Sequence, residues 1–181
     1  MSNKILAGDA IVPLAMNTNI TTAYRKMIMM FDGTPLTKAD FEAALYSATS
    51  GSGIMEGSTR GQYRVSLLKA LAIAKGGTLR AWCNYSTSCV PSHVGPTKIR
   101  FPFSERPEEF TKVVGGTVRY FIVAIVASGA VNPDSTSAAF WVGVGTIGDI
   151  GSGADLELLG SSVNMANVLK ANDMFFNYVG E

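Results

Sequence analysis

The run Thr117–Ser128, TVRYFIVAIVAS, constrains the fold of this chain more than any other stretch. If the run is a strand, both of its faces are apolar, and only Arg119, near its start, interrupts one of them. A strand with two apolar faces is buried on both sides. The run is too short to cross a bilayer as a helix, and its β-branched and aromatic residues favour a strand. We therefore predict that it is the central strand of a covered β-sheet.

Short segments of alternating or apolar residues recur along the chain, separated by turns rich in Gly, Pro, Asn and Asp. Those predicted as strands are Thr22–Phe31, Thr78–Tyr85, Thr97–Phe103, Ala138–Thr146, Ala154–Leu159 and Met174–Val179. This pattern predicts a mainly β fold, an antiparallel β-sandwich of jelly-roll or Greek-key type. We expect residues 17–181 to form this single domain. Residues 1–16 contain Pro13, which lacks a ladder donor, and are predicted to be an N-terminal arm or an edge strand.

One short α-helix is predicted near residues 37–47. Thr37 can cap its first turn, where Asp40 and Glu42 interact favourably with the helix dipole. Residues 62–75 are ambiguous, because YRVSL alternates like a strand, whereas SLLKALAIAK followed by two glycines is typical of a helix with a glycine stop. We favour a strand for the first half of this stretch and leave the second half open.

Charged residues make up only 16% of the chain, below the roughly 25% of soluble domains. Residues 58–100 contain seven basic residues and no carboxylate. From Tyr120 onward there are six carboxylates and one basic residue, Lys170. Opposed patches of this kind can align copies head-to-tail in a ring, and a basic face can bind nucleic acid. We favour the simpler interpretation, solvated charges spread over the surface, and do not expect a nucleic-acid partner.

The sequence predicts no metal site. Its one histidine, His93, lies in a proline-flanked loop, and together with Cys83 and Cys89 it supplies three of the four ligands that a structural zinc ion needs. The two cysteines lack a CxxC spacing and are expected to be thiols of a cytosolic folding compartment. The N-terminus lacks a signal-peptide h-region, and no apolar run reaches the length of a membrane span. We therefore expect no membrane partner.

Two groups of carboxylates are the candidates for acid–base catalysis. They are Asp149, Asp155 and Glu157, and Glu105, Glu108 and Glu109. Both groups lie in turn-like or exposed stretches, where carboxylates are usually solvated or cap turns. Residues 149–157 also lack the ligand ladder of a calcium loop. We predict no catalytic, cofactor-binding or metal-binding residue and expect that the protein is not an enzyme. A hydrolase would require Asp155 or Glu157 to face another carboxylate in a cleft.

Aromatic residues suggest an alternative function. Those able to line a sugar-binding or subunit surface are Trp82, Tyr85, Trp141, Phe175, Phe176 and Tyr178. Most of them alternate at strand spacing, so core packing is the default expectation, and Trp141 is expected to be buried. The alternative is a carbohydrate-binding or host-recognition (adhesin) module.

Two parts of the chain resemble small structural proteins of tailed bacteriophages. FDGTPLTKADFEAALYS is similar to their opening, and GTVRYFIVAIVAS through AAFWVGVGTIGDIGSGADLELLGSSVNM, with the closing MFFNYVG, is similar to their second half. The resemblance implies a virion component made in the host cytoplasm, located at the neck or collar, the tail or baseplate, or the capsid surface as a decoration protein. It further implies a symmetric homo-oligomer that contacts portal, connector, tail or capsid proteins. It transfers no functional residue and no cofactor.

Overall fold

The structure is a computed structural model, and it describes residues 4–5, 24–37, 39–41, 63–85, 92–93, 98–101, 111–158, 162–163 and 174–177. Within these ranges the chain is mainly β. The strands are β1 (Lys4–Ile5), β2 (Tyr24–Phe31), β3 (Tyr63–Arg64), β4 (Leu79–Tyr85), β5 (Ser92–His93), β6 (Lys98–Phe101), β7 (Thr111–Lys112), β8 (Gly116–Thr117), β9 (Tyr120–Ala127), β10 (Ala138–Asp149), β11 (Leu156–Leu158), β12 (Ser162–Val163) and β13 (Met174–Asn177). The helix is Val65–Ala74.

Eight strands form one curled sheet whose order is β1-β10-β9-β2-β4-β7, with β3 and β11 also pairing with β10. Two smaller groups, β12-β8 and β13-β6-β5, complete the pairings of the described residues. The mainly β prediction is confirmed. The prediction of a purely antiparallel sheet is wrong, because β11 runs parallel to β10. Six residues connect these two strands, so the chain turns back within one tight loop.

The strand β9 is buried on both faces, as predicted from its sequence. On one face, Tyr120, Ile122, Ala124 and Val126 join β2 and β10 residues in a cluster that the helix covers with Val65, Leu68 and Ala72. On the other face, Phe121, Val123 and Ile125 are equally buried, as are Ile28 and Met30 of β2. Removing an apolar side chain of this size from water contributes about 1.5–3 kcal/mol. The central strands therefore carry the core.

Residues 62–75, for which a strand was favoured in the first half, contain the Val65–Ala74 helix. Within the described part of this stretch, residues 63–75, only Tyr63 and Arg64 are in a strand, and they pair with Ala139 and Ala138 of β10. The helix then begins at once, because its first free N–H groups find carbonyl acceptors: Val65 N donates to Ser137 O and Ser66 N to Ser135 O. A strand over the first half of this stretch is therefore wrong beyond Arg64. The glycine stop is confirmed, since Gly76 follows with a φ of 86°.

The start of the helix predicted at 37–47 is described, and residues 39–41 are helical. Thr37 and Asp40 form a reciprocal cap. Asp40 Oδ2 accepts hydrogen bonds from Thr37 N and Thr37 Oγ1, both at 2.8 Å, and Thr37 Oγ1 accepts from Asp40 N at 3.3 Å. The remainder of that helix lies outside the described residues. Among the residues that the structure describes, no helix is long and apolar enough to span a membrane.

Candidate interaction surface

Asp155 and Glu157, the two carboxylates on which a hydrolase would depend, each hold a backbone segment. Asp155 Oδ2 accepts hydrogen bonds from Thr146 N at 2.7 Å and Thr146 Oγ1 at 2.9 Å. Glu157 accepts one hydrogen bond on each oxygen, from Gly151 N at 3.0 Å and Gly153 N at 2.9 Å. These two N–H groups lower the pKa of Glu157. Both side chains are anchors of the β10–β11 connection.

That connection explains why the carboxylates are needed. A parallel pair of strands is usually joined by a crossover of a dozen or more residues, whereas residues 150–155 join β10 to β11 directly. The tight reversal uses φ angles of 85° at Gly151 and 73° at Gly153, a region in which side chains are strained. Glu157 lies in β11 opposite Gly148 of β10 and reaches back across the loop. Asp155 and Glu157 thus have a structural role in this connection.

The remaining candidate ligands are not brought together by the described residues. Cys83 is buried in β4. His93, predicted to lie in a loop, is instead in the two-residue strand β5, where it pairs with Ile99. Cys89 and the carboxylates of residues 105–109 lie outside the described residues. No group of three or more His, Cys, Asp or Glu side chains able to hold a metal occurs in the part of the chain that is described.

Of the aromatic residues considered for sugar binding, only Trp82 has a described side chain. It is half-buried and packs against the core cluster. Trp141 and Tyr85 lie in β10 and β4, and Phe175 and Phe176 lie in β13, but the surroundings of these four side chains are outside the described residues. Tyr178 lies wholly outside. Core packing is therefore confirmed for Trp82 alone.

Three of the basic residues of positions 58–100 form ion pairs in the described part of the chain. Lys69 pairs with Asp134 at 2.6 Å, Lys75 pairs with Asp40 at 2.8 Å, and Arg80 pairs with Asp32. Each partner comes from outside the basic stretch, and Asp134 belongs to the acidic second half of the chain. The charge segregation along the sequence is therefore partly cancelled in the folded protein.

The Asp32–Arg80 pair lies at one end of the central sheet. Phe31 at the end of β2 pairs with Leu79 at the start of β4 and with Tyr120 at the start of β9, which in turn pairs with Thr146 near the end of β10. We call this edge, with the loops that leave it, the Asp32 end. The opposite end of the sheet holds the β9–β10 connection.

Asp32 and Arg80 tie three segments together at the Asp32 end. Asp32 Oδ1 accepts a hydrogen bond from Thr78 N at 2.5 Å, and Oδ2 accepts from Arg80 Nε at 3.0 Å and from Arg80 Nη2. Arg80 Nη1 donates to Gly115 O at 2.7 Å. Burial raises the pKa of Asp32, but the Thr78 N–H and the Arg80 guanidinium outweigh it, so the pKa is lowered. The ends of β2 and β4 and the β7–β8 connection are thereby fixed relative to one another.

Gly116 is part of the same arrangement. Its φ is 145°, and a Cβ placed there would lie 2.7 Å from Arg80 Cζ. Only glycine lets the backbone pass this close to the guanidinium.

Tyr120 lies at the same end and is fully buried. Its ring stacks on Phe31, with centroids 5.4 Å apart. No hydrogen-bond partner for its hydroxyl occurs within the described parts of the chain. Burial, followed by the negative charges of Asp32 and Asp40, raises the pKa of Tyr120 above its ordinary value. The hydroxyl is neutral at all physiological pH values.

Exposed aliphatic side chains concentrate at the Asp32 end. Among the described residues, five large apolar side chains are exposed, and four belong to this end: Ile73, Val113, Val114 and Ile150. Ile73 is in the last turn of the helix, Val113 and Val114 both donate their N–H groups to Arg80 O, and Ile150 directly follows β10. The fifth, Val131, follows β9 at the opposite end. The Asp32 end is therefore the candidate interaction surface.

Sequence reasoning identified part of this surface only. Turns rich in Gly, Pro, Asn and Asp were predicted between the strands, but the link from Asp32 through Arg80 to Gly115 joins residues 35 to 48 positions apart. No protein-family model matches this chain, and no curated protein or solved structure is significantly similar to it.

Proposed function

We propose that this chain is a structural subunit of a tailed-bacteriophage virion that assembles as a symmetric homo-oligomer and acts through protein–protein contacts. Its place is the neck or collar, the tail, or the capsid surface. The observation that carries the proposal is the concentration of Ile73, Val113, Val114 and Ile150 at the Asp32 end. Among the described residues, four exposed apolar side chains at one end of the sheet, against one at the other, favour an interaction surface there.

The backbone beneath these side chains is held in place by the Asp32–Arg80 pair and by the Glu157 anchor. An apolar surface on a rigid support loses little conformational entropy when it binds, which favours association. Of the carboxylates considered for catalysis, Asp155 and Glu157 are engaged in backbone hydrogen bonds. These features support a binding surface over an active site.

We further propose that the curled sheet is one layer of a β-sandwich of jelly-roll or Greek-key type. Support comes from the second face of β9, where Phe121, Val123 and Ile125 are as buried as the residues under the helix. A sheet apolar on both faces requires a covering layer on each.

The oligomer is tested by the native mass of the purified chain, with Ile150→Asp as the variant and Val131→Asp as its control. Ile150 and Val131 are matched, being 56% and 57% exposed, but they lie at opposite ends of the sheet. We expect a discrete oligomer for the parent chain and for Val131→Asp, and dissociation for Ile150→Asp. A strictly monomeric parent chain, or an equal effect of both substitutions, would overturn the proposal.

The virion location requires a separate measurement, which is mass spectrometry of purified phage particles from an infected culture encoding the chain. The protein is expected in the particles at a constant copy number. A monomer that is absent from particles and binds to a glycan array would instead support the carbohydrate-binding or adhesin alternative.

A further inference from the structure

The outer side of β10 is covered in pieces. Three short strands lie along it: β3 at Ala138–Ala139, β1 at Gly143–Val144 and β11 at Ile147–Asp149. Residues 140–142 have no ladder partner on this side among the described residues, whereas the Thr146 N–H donates to Asp155 Oδ2. A strand edge with unpaired N–H and C=O groups is a template for an added strand.

Of the three covering strands, two are bound to their own chain by short connections. β3 continues directly into the helix at Val65, and β11 follows β10 after six residues. β1 differs, since eighteen residues separate Ile5 from Tyr24, the first residue of β2. A connection of that length spans up to roughly 60 Å when extended. It therefore permits β1 to reach a neighbouring copy as well as its own β10.

The described pairing of β1 is short. Among the described residues it consists of two antiparallel pairs, Lys4 with Val144 and Ile5 with Gly143. The hydrogen bonds of these two pairs only weakly offset the entropy of ordering the N-terminal segment within one chain. If β1 is exchanged between copies, the same residue pairs form. The high local concentration of N-terminal arms in an oligomer favours this pairing.

We infer that, in the oligomer, β1 of one copy pairs with β10 of a second copy. This rests on the proposed function, because it names the contact through which the proposed oligomer is linked. The arm supplies backbone hydrogen bonds, while the apolar residues of the Asp32 end supply the remaining contact.

The test is a disulfide between two differently tagged chains that are co-expressed, one with Lys4→Cys and the other with Val144→Cys. Residues paired across an antiparallel ladder have Cα atoms about 4.5–5.5 Å apart, within the range that a disulfide spans. Val144 is 7% exposed, so cysteine, which is smaller and also apolar, suits its site. Both chains also carry Cys89→Ser, and the buried Cys83 is retained.

The control pairs Lys4→Cys with Val131→Cys, whose site is exposed at the far end of β9. We expect the Lys4/Val144 mixture to form roughly tenfold more disulfide-linked heterodimer than the control, since paired residues have a far higher effective concentration. Circular dichroism of each single variant verifies that it is folded.

Three results would overturn the inference, and the native mass separates them. The first result is an oligomeric parent chain in which the disulfide forms only within a single chain that carries both Lys4→Cys and Val144→Cys. The arm then stays on its own chain, and the proposed function stands. If neither combination exceeds the control, the β1–β10 pairing itself is refuted. If the parent chain is monomeric, both proposals fail.

Discussion

Tyr120 and Gly77 provide the sharpest test of how the Asp32 end is packed. The Tyr120 hydroxyl is buried with no hydrogen-bond partner within the described parts of the chain. A buried polar group left without a partner costs about 1–3 kcal/mol. Tyr120→Phe removes the hydroxyl and retains the ring that stacks on Phe31. We therefore expect it to raise the free energy of unfolding by about 1 kcal/mol.

Gly77 is in direct contact with that hydroxyl. A Cβ at Gly77 would lie 2.6 Å from Tyr120 Oη and 3.0 Å from Ala72 O. Gly77→Ala should therefore destabilise the fold by about 1–3 kcal/mol, the usual cost of overpacking. In a Tyr120→Phe background the first clash disappears and only the one with the Ala72 carbonyl remains. We expect the Gly77→Ala cost to fall by about 1 kcal/mol in that background.

The assay is urea unfolding of the parent chain, the two single variants and the double variant, followed by circular dichroism. The cycle cancels the unfolded-state effect of replacing glycine, because Gly77→Ala is made in both backgrounds. A coupling energy within about 0.3 kcal/mol of zero would refute the contact between Gly77 and the hydroxyl. A destabilising Tyr120→Phe would show instead that the hydroxyl forms a favourable hydrogen bond.

Three further predictions concern the other anchors. Gly116→Ala should lower the free energy of unfolding by about 1–3 kcal/mol more than Gly151→Ala. Both positions have a positive φ, but only Gly116 lies against Arg80. Equal losses of stability in urea unfolding would contradict this. The Lys75 ammonium, followed by the Thr37 N–H and hydroxyl, lowers the pKa of Asp40 from 3.8 to about 2, so its stabilising contribution is present above pH 4 and is lost as the pH falls towards 2. Allowing for solvent screening, we expect about 1 kcal/mol of acid-dependent stability that Asp40→Asn removes, and an unchanged pH profile in that variant would be the contrary result. Glu157→Ala should accelerate hydrogen exchange at the Gly151 and Gly153 amides and leave β9 amides protected, whereas unchanged exchange at both glycines would show that Glu157 does not hold the loop.

The strongest sequence patterns were local, and these predicted the structure well. The two apolar faces of Thr117–Ser128 predicted a buried central strand, and β9 is buried on both faces. The Thr37 cap depends on residues three positions apart, and its hydrogen bonds to Asp40 are formed. Both patterns are complete within one element, so no distant contact was needed to interpret them.

The misjudged features depend on contacts that are remote in sequence. Tyr63, Val65 and Leu67 fit a strand and a helix equally, and the helix begins at Val65 because Ser135 and Ser137 accept its first hydrogen bonds. The direction of β11 was likewise hidden, since a Gly-rich turn permits either a hairpin or a parallel return. Lys26 is a further case, because it is 1% exposed in a strand whose local pattern gave no reason to bury a cation.

The pairing of charges that are remote in sequence also bears on assembly. Lys69, Lys75 and Arg80 appear unpaired in sequence, yet all three have carboxylate partners within the chain. Charges neutralised in this way contribute little to steering one copy towards another. If the proposed oligomer depends mainly on apolar and backbone contacts, its dissociation constant should change little between about 0.05 and 0.5 M salt. Sedimentation across that range measures this directly, and a steep weakening with salt would instead support the alternative of head-to-tail electrostatic alignment.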